Sequence, residues 1–260
     1  SAYGEIRQHE VKFAGANQRG HPQVTGMEKF AELMKEKSGG KIVVNLFPGG
    51  VLGGDVQTVS ALQGGIVQMM VLNAGILQNL AKPFASVDLP FLFATPQQAD
   101  AVMDGPFGDH LNAMLPDKGL VSLGYWELGF RNLTNNKRAV TSLDDLKGLK
   151  IRIIQSPIMV DLFTALGTNA VPLAYTELYT ALETGTVDGQ ENPITVFKIS
   201  KMETVGQMFM TRWDYVADPL IFAINPRVWK EFTPEDQKIL KDAAAEAGKV
   251  GIAASREGDD

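Results

Sequence analysis

Leu146-Lys147-Gly148-Leu149-Lys150-Ile151-Arg152-Ile153 reads as a turn running into a short strand, with an arginine set between isoleucines. Downstream come Thr176-Glu177-Leu178-Tyr179-Thr180-Ala181-Leu182-Glu183, a helical stretch, and Val187-Asp188-Gly189-Gln190-Glu191-Asn192-Pro193, a short polar turn. In the strand, period-two alternation sends Ile151 and Ile153 to one face and Arg152 to the other. A solvated side chain or a structural ion pair is the plainer account of such an arginine. The functional account is a receptor for a small carboxylate. A planar guanidinium grips both carboxylate oxygens, and an asparagine amide satisfies a further lone pair.

Outward from this block, short β-like runs alternate with helical patterns, which predicts an α/β fold. Val11-Lys12-Phe13-Ala14 is the first strand. Met27, Phe30, Ala31 and Met34 fall at helical spacing, and Gly39-Gly40 ends that helix. A strand is expected over 42–47, a helix capped by Asp55 after it, and a buried strand at Met69-Met70-Val71-Leu72. A long extended run is expected over 121–132. Strands follow over 149–154 and 170–173, with a helix over 157–166 between them and another capped by Thr176. Extended runs at 208–213 and 220–225 precede a last helix that starts at Thr233-Pro234-Glu235-Asp236. No repeat or Gly/Ser linker interrupts the chain.

The chain has 260 residues, 45% hydrophobic and 21% charged, which suits a folded globular protein. Its formal net charge of −6, with no basic cluster, argues against nucleic-acid binding. Cysteine is absent, which removes disulfides, thiolate metal sites and thiol nucleophiles. No apolar run approaches the roughly 20 residues that span a bilayer. No leader pattern opens the chain, and an exported protein sheds its leader in any case. The three histidines form no metal-binding pair, no nucleophile-elbow motif is present, and the glycine-rich stretches fit neither phosphate-loop nor dinucleotide spacing. No cofactor or metal is expected.

The residues of the 146–193 block, and their order along nearly the whole chain, resemble the solute-binding proteins of tripartite ATP-independent periplasmic (TRAP) transporters, binders of C4-dicarboxylates and sugar acids. The resemblance implies a two-lobed periplasmic binding protein fold, each lobe a mixed sheet flanked by helices, the lobes joined by long crossing strands. Lobe one is expected at 1–128 plus 217–260 and lobe two at 129–216. Family chains continue beyond the equivalent of Asp260, so C-terminal bracing helices are expected to be missing here. The resemblance also implies that Arg152 anchors the ligand carboxylate, with Arg131 as a second cation and Asn192 as amide donor. Tyr175 would pack on the ligand's carbon skeleton.

Lobe-one candidates are Asn17, Gln18 and His21 in the first strand-to-helix loop, and Asn73 after the third strand. Trp213, Tyr215 and Asp218 are candidates for the pocket wall. Glu191 reads as structural, since a carboxylate aimed at an anionic ligand would repel it. The first loop offers Arg19 as its only cation beside neutral groups, which favours a uronate or aldonate over a C4-dicarboxylate or 2-oxo acid. The expectation is therefore a non-enzymatic, monomeric receptor, periplasmic after loss of its signal peptide. It would close around an organic acid and deliver it to small and large TRAP membrane subunits driven by an ion gradient, usually sodium. The alternatives are a carbohydrate-acid hydrolase or isomerase on a two-lobed fold, and a sensory binding protein.

Overall fold

The computed structural model describes residues 9–259. Strands β1 (His9–Ala14) and β2 (Ile42–Phe47) run parallel and are joined by α1 (Pro22–Lys37). Helix α1 starts on Pro22, and His21 caps it through Nδ1, which accepts from the Gln23 amide at 2.9 Å. Met27, Phe30, Leu33 and Met34 lie on its buried face. Next come α2 (Asp55–Gln63), then β3 (Met69–Asn73), parallel to β1. The pair α3 (Pro96–Met103) and α4 (Pro106–Asn112) precedes β4 (Val121–Glu127).

The chain then crosses to a second sheet of β5 (Asn132–Asn135), β6 (Lys150–Ile153), β7 (Asn169–Pro172), β8 (Gly189–Asn192) and β9 (Phe209–Thr211). Helices α5 (Pro157–Ala165), α6 (Leu178–Glu183) and α7 (Ile194–Ile199) alternate with these strands. It crosses back to β10 (Pro219–Ile224), which lies antiparallel between β3 and β4, and ends in α8 (Pro226–Glu231) and α9 (Pro234–Asp259). The sheet orders are β2-β1-β3-β10-β4 and β7-β6-β8-β5-β9, both mixed. The first draws on 9–127 and 219–224, the second on 132–211.

An aromatic cluster centres the first half. Phe13 stacks on Phe222 at 4.5 Å, and Phe30 meets Phe222 edge-on at 4.8 Å. Trp126 donates from Nε1 to the Ala244 carbonyl at 2.9 Å, which pins α9 to β4. Position 248 must be glycine, because a Cβ there would lie 2.5 Å from the Trp126 ring. Burying each such ring contributes about 1.5–3 kcal/mol. The second half has its own core of Leu133, Ile151, Ile153, Phe163 and Tyr215. Helix α9 packs on α1 and β4 and reaches α7, and Ser255 Oγ donates to the Leu128 carbonyl at 3.4 Å beside the first crossing.

Four expectations are corrected. The extended run over 121–132 is two strands in different sheets, because the chain turns at Gly129 (φ 120°) to cross between them. Asp55 does not cap α2. It is the first helical residue, and Gly54 stands at the cap. Thr176 lies inside a 3-10 turn, Tyr175–Glu177, that leads into α6, and Glu177 holds the cap position. The polar stretch at Gly189-Gln190-Glu191-Asn192 is no turn but the buried strand β8, hydrogen-bonded between β6 and β5. The first eight residues and Asp260, assigned above to lobe one, lie outside the described residues.

Candidate functional site

The two sheets present their strand ends to a narrow cavity in the cleft between them. Strand β6 sets its central feature. Ile151 and Ile153 turn into the second core, so Arg152 points the other way and lines the cavity at only 2% exposure. Its Nε donates to the Leu173 carbonyl at 2.9 Å, while Nη1 is buried with no hydrogen-bond partner. Burial lowers its pKa to about 10, assisted by the charge of Arg131 and opposed by Glu191, Tyr175 and Asp55. A buried guanidinium with an unused donor edge is built to receive an anion.

Arg131 lines the same cavity but is committed elsewhere. Its Nε donates to Glu191 Oε2 at 2.5 Å and its Nη2 to both the Oε1 and the backbone oxygen of Glu191 at 2.8 Å. Its Nη1 donates to Asp218 Oδ2. Glu191 also accepts from the Tyr215 hydroxyl at 2.6 Å. The two carboxylates outweigh burial and hold the Arg131 pKa well above its ordinary value. Two negative charges already match this cation, which with Glu191 braces the cleft floor.

Asn192 and Tyr175 line the cavity. The Asn192 amide donates to Gln190 Oε1 at 2.9 Å, and the Tyr175 hydroxyl bonds Ser200 Oγ at 2.5 Å. Asn17 and Asn73 line the opposite wall, donating to Gln23 Oε1 at 2.8 Å and Asp218 Oδ2 at 2.7 Å. Gln18 is exposed and lines a neighbouring depression that shares Ala16 and Tyr175 with the cavity. His21 lies outside the cavity lining as the buried cap of α1, and desolvation lowers its pKa to about 4. Trp213 packs on Phe163 and Tyr215 rather than on the cavity. Asp218 is fully buried behind the wall, held by Arg131 and Asn73. Arg19 pairs with Glu28 at 3.4 Å on the surface.

Sequence reasoning missed Gln23, Gln155 and Asp55 as lining residues. Gln23 sits in the first turn of α1, and Asp55 was assigned a capping role that hid it. Asp55 is half-buried, and its carboxyl is raised to about 7 by desolvation, against the pull of Arg152 and with the push of Asp218.

The halves meet across the cleft. A Cβ on Gly54 would lie 2.8 Å from the Ala174 Cβ. Gln78 donates to Ser156 Oγ at 2.7 Å, and that hydroxyl donates to Asp88 Oδ2 at 2.6 Å. The Asn79 amide donates to the Gln155 carbonyl at 3.0 Å. Among the described residues no cluster of three metal-ligating side chains occurs, and no helix is long and apolar enough to cross a membrane.

The family of bacterial extracellular solute-binding proteins, family 7, matches residues 13–260. The 2,3-diketo-L-gulonate-binding periplasmic protein YiaO of Escherichia coli (strain K12) is 36% identical over 238 residues, 92% of this chain and 72% of that protein. The sugar acid binding protein DctPAm of Advenella mimigardefordensis, solved with galactonate, superposes with a TM-score of 0.95 at 37% identity, covering 98% and 82% of the two chains. A TRAP periplasmic solute-binding protein from Ochrobactrum anthropi is 58% identical, with a TM-score of 0.85 over 98% and 79%. These are binding proteins, and the hydrolase or isomerase alternative has no support among them. A two-sheet cleft, a buried arginine with a free donor edge and a family match over nearly the whole chain converge: the chain belongs to the family 7 extracellular solute-binding proteins, the solute receptors of TRAP transporters.

Proposed function

We propose that this receptor captures a sugar acid, an aldonate or a keto-sugar acid, with the ligand carboxylate on Arg152. The observation that carries the reading is the unpartnered, buried Nη1 of Arg152 at the cavity wall. The relatives named for 2,3-diketo-L-gulonate and for galactonate support the substrate class. So do the neutral carboxamides of Asn17, Gln23 and Asn73, which both donate to and accept from hydroxyls.

Closure follows from the same charge. In an empty closed cleft Arg152 bears a desolvation penalty that the charges of Glu191 and Asp55 offset only in part, so the ligand-free receptor favours opening, where water reaches the guanidinium. A bound carboxylate supplies the missing charge through hydrogen bonds worth about 2–4 kcal/mol, which shifts the population toward the closed state. The moving bodies are lobe one, 1–128 plus 217–260, and lobe two, 129–216, hinged at the crossings around Gly129 and around Asp214 and Asp218. The last two residues hold left-handed backbone conformations. The receptor acts as a periplasmic monomer after loss of a signal peptide, and it hands its ligand to the small and large TRAP membrane subunits.

A thermal-shift screen of organic acids beside their neutral amides and lactones tests this. A ligand at 100 times its Kd adds about 2.7 kcal/mol of stability. Raised midpoints confined to acids are expected, with sugar acids foremost. Equal shifts with the neutral analogues would contradict the anchor.

A further inference from the structure

Capture of one carboxylate leaves a charge in the cavity unused. Asp55 opens α2 on the wall facing Arg152 and lines the same cavity. Among the described residues no hydrogen bond or ion pair holds its carboxylate. The other charged groups nearby are committed: Arg131 to Glu191 and Asp218, and Asp218 to Arg131 and Asn73. The Asp55 carboxylate shares the cavity with Arg152 and is close enough to feel its charge, so ligand groups beyond the anchored carboxylate meet its unpartnered oxygens.

We infer that Asp55 is a specificity-determining residue, which admits acids with one carboxylate and a hydroxyl-bearing far end and rejects dicarboxylates. The inference rests on Arg152 being the carboxylate anchor. An ionised carboxylate only accepts, so it pairs with ligand hydroxyls and repels a second carboxylate. A closed cavity screens that repulsion poorly. The N-terminus of α2 would otherwise attract an anion, but Asp55 already places a negative charge there. Neutral Asn17 and Asn73 beside it offer a dicarboxylate no compensating cation.

The charge state of Asp55 supplies a signature that a merely structural aspartate lacks. Its carboxyl is raised to about 7 by desolvation, with Arg152 opposing and Asp218 adding to the shift. Above that value it is ionised and repels a second carboxylate. Below it, the protonated group donates a hydrogen bond that a second carboxylate accepts. Around it, Arg152 stays charged and Tyr175 stays neutral across this interval, and Asp218 is bonded to Arg131. Discrimination therefore grows as pH rises through about 7.

The test is calorimetric titration at about pH 6 and about pH 8. Its probes are monoacid and diacid pairs on one carbon skeleton: galactonate with galactarate, gluconate with glucarate, and threonate with tartrate. The intact receptor is expected to prefer the monoacid of its best pair by about 100-fold at the higher pH, a ratio set by like-charge repulsion in a poorly screened site. That ratio should shrink at least about tenfold at the lower pH, as the charge is lost. Asp55→Asn should shrink the ratio at both pH values and remove its pH dependence. Diacids binding as tightly as their partners, or an Asp55→Asn protein with unchanged ratios, would overturn the inference. If Asp55→Asn does not fold, the pH profile of the intact receptor decides alone. Arg152→Ala run in parallel separates the failures: retained affinity there sinks the anchor itself, whereas a failure confined to Asp55 leaves the anchor standing.

Discussion

Two arginines stand within one cavity wall, yet their energetics differ in sign. Arg131 is fully buried among matched carboxylates, and removing it leaves Glu191 and Asp218 uncompensated. Arg131→Ala should therefore cost about 3–5 kcal/mol of folding stability. Arg152 has no carboxylate partner, so Arg152→Ala should leave the ligand-free stability unchanged or raise it. Urea denaturation without ligand checks both, and equal losses would contradict the distinction. The isoleucines flanking Arg152 made its direction legible in the sequence. Nothing local distinguished Arg131, because its partners lie 60 and 87 positions away and meet it only through the fold. Asp55 and Gln23 escaped for a related reason: each sits in a first helical turn, where a polar residue already has an ordinary explanation.

At the level of elements, helix starts and strands with clear apolar periodicity were readable, as α1, β2 and β3 illustrate. Strand β8 was not, since Gly-Gln-Glu-Asn has no hydrophobic alternation. It is stable in the interior because its polar side chains find partners across the sheet. Gln190 Nε2 donates to Thr134 Oγ1 at 2.7 Å, and Glu191 holds Arg131. The loop before α2 carries a further prediction. Gly54 has an unstrained backbone, φ −71°, and touches Ala174 across the cleft. Gly54→Val should wedge the halves apart and weaken ligand binding at least about tenfold, through the lost closure rather than through lost stability. Titration calorimetry, with small-angle scattering to follow contraction on binding, measures this. Unchanged affinity and contraction would show that the 54–174 contact does not limit closure.

Across the whole molecule, the alternation of strands and helices announced an α/β fold, and the missing linker pointed to two halves that exchange strands. The bonds between the halves could not be read in advance. Gln78, Asp88 and Ser156 converge from three separated segments, and Asp88 is buried with one oxygen unpartnered. Desolvation raises the Asp88 carboxyl to about 7, Asp218 and Glu191 adding to it while Ser156 and Arg131 oppose. Folding thus takes up a proton between the unfolded value of 3.8 and about 7, so this group destabilises the fold as pH rises through that window. His21 works oppositely. Its folded pKa of about 4 lies below the unfolded 6.5, so stability is lost as pH falls through that interval. Asp55 and Glu127 share the direction of Asp88, so the carboxyls prevail. The ligand-free thermal midpoint should rise on acidification from about pH 8 to about pH 5, and Asp88→Asn should flatten part of that rise. A variant profile with the same slope as the parent would refute the assignment.

The most direct measurement is calorimetric titration of the best-binding acid into the parent receptor and into Arg152→Ala, both shown folded by their unfolding transitions. Loss of a charge-assisted anchor in a closed cleft should weaken binding by about 100-fold or more. Full affinity in the variant would mean that the carboxylate is held elsewhere.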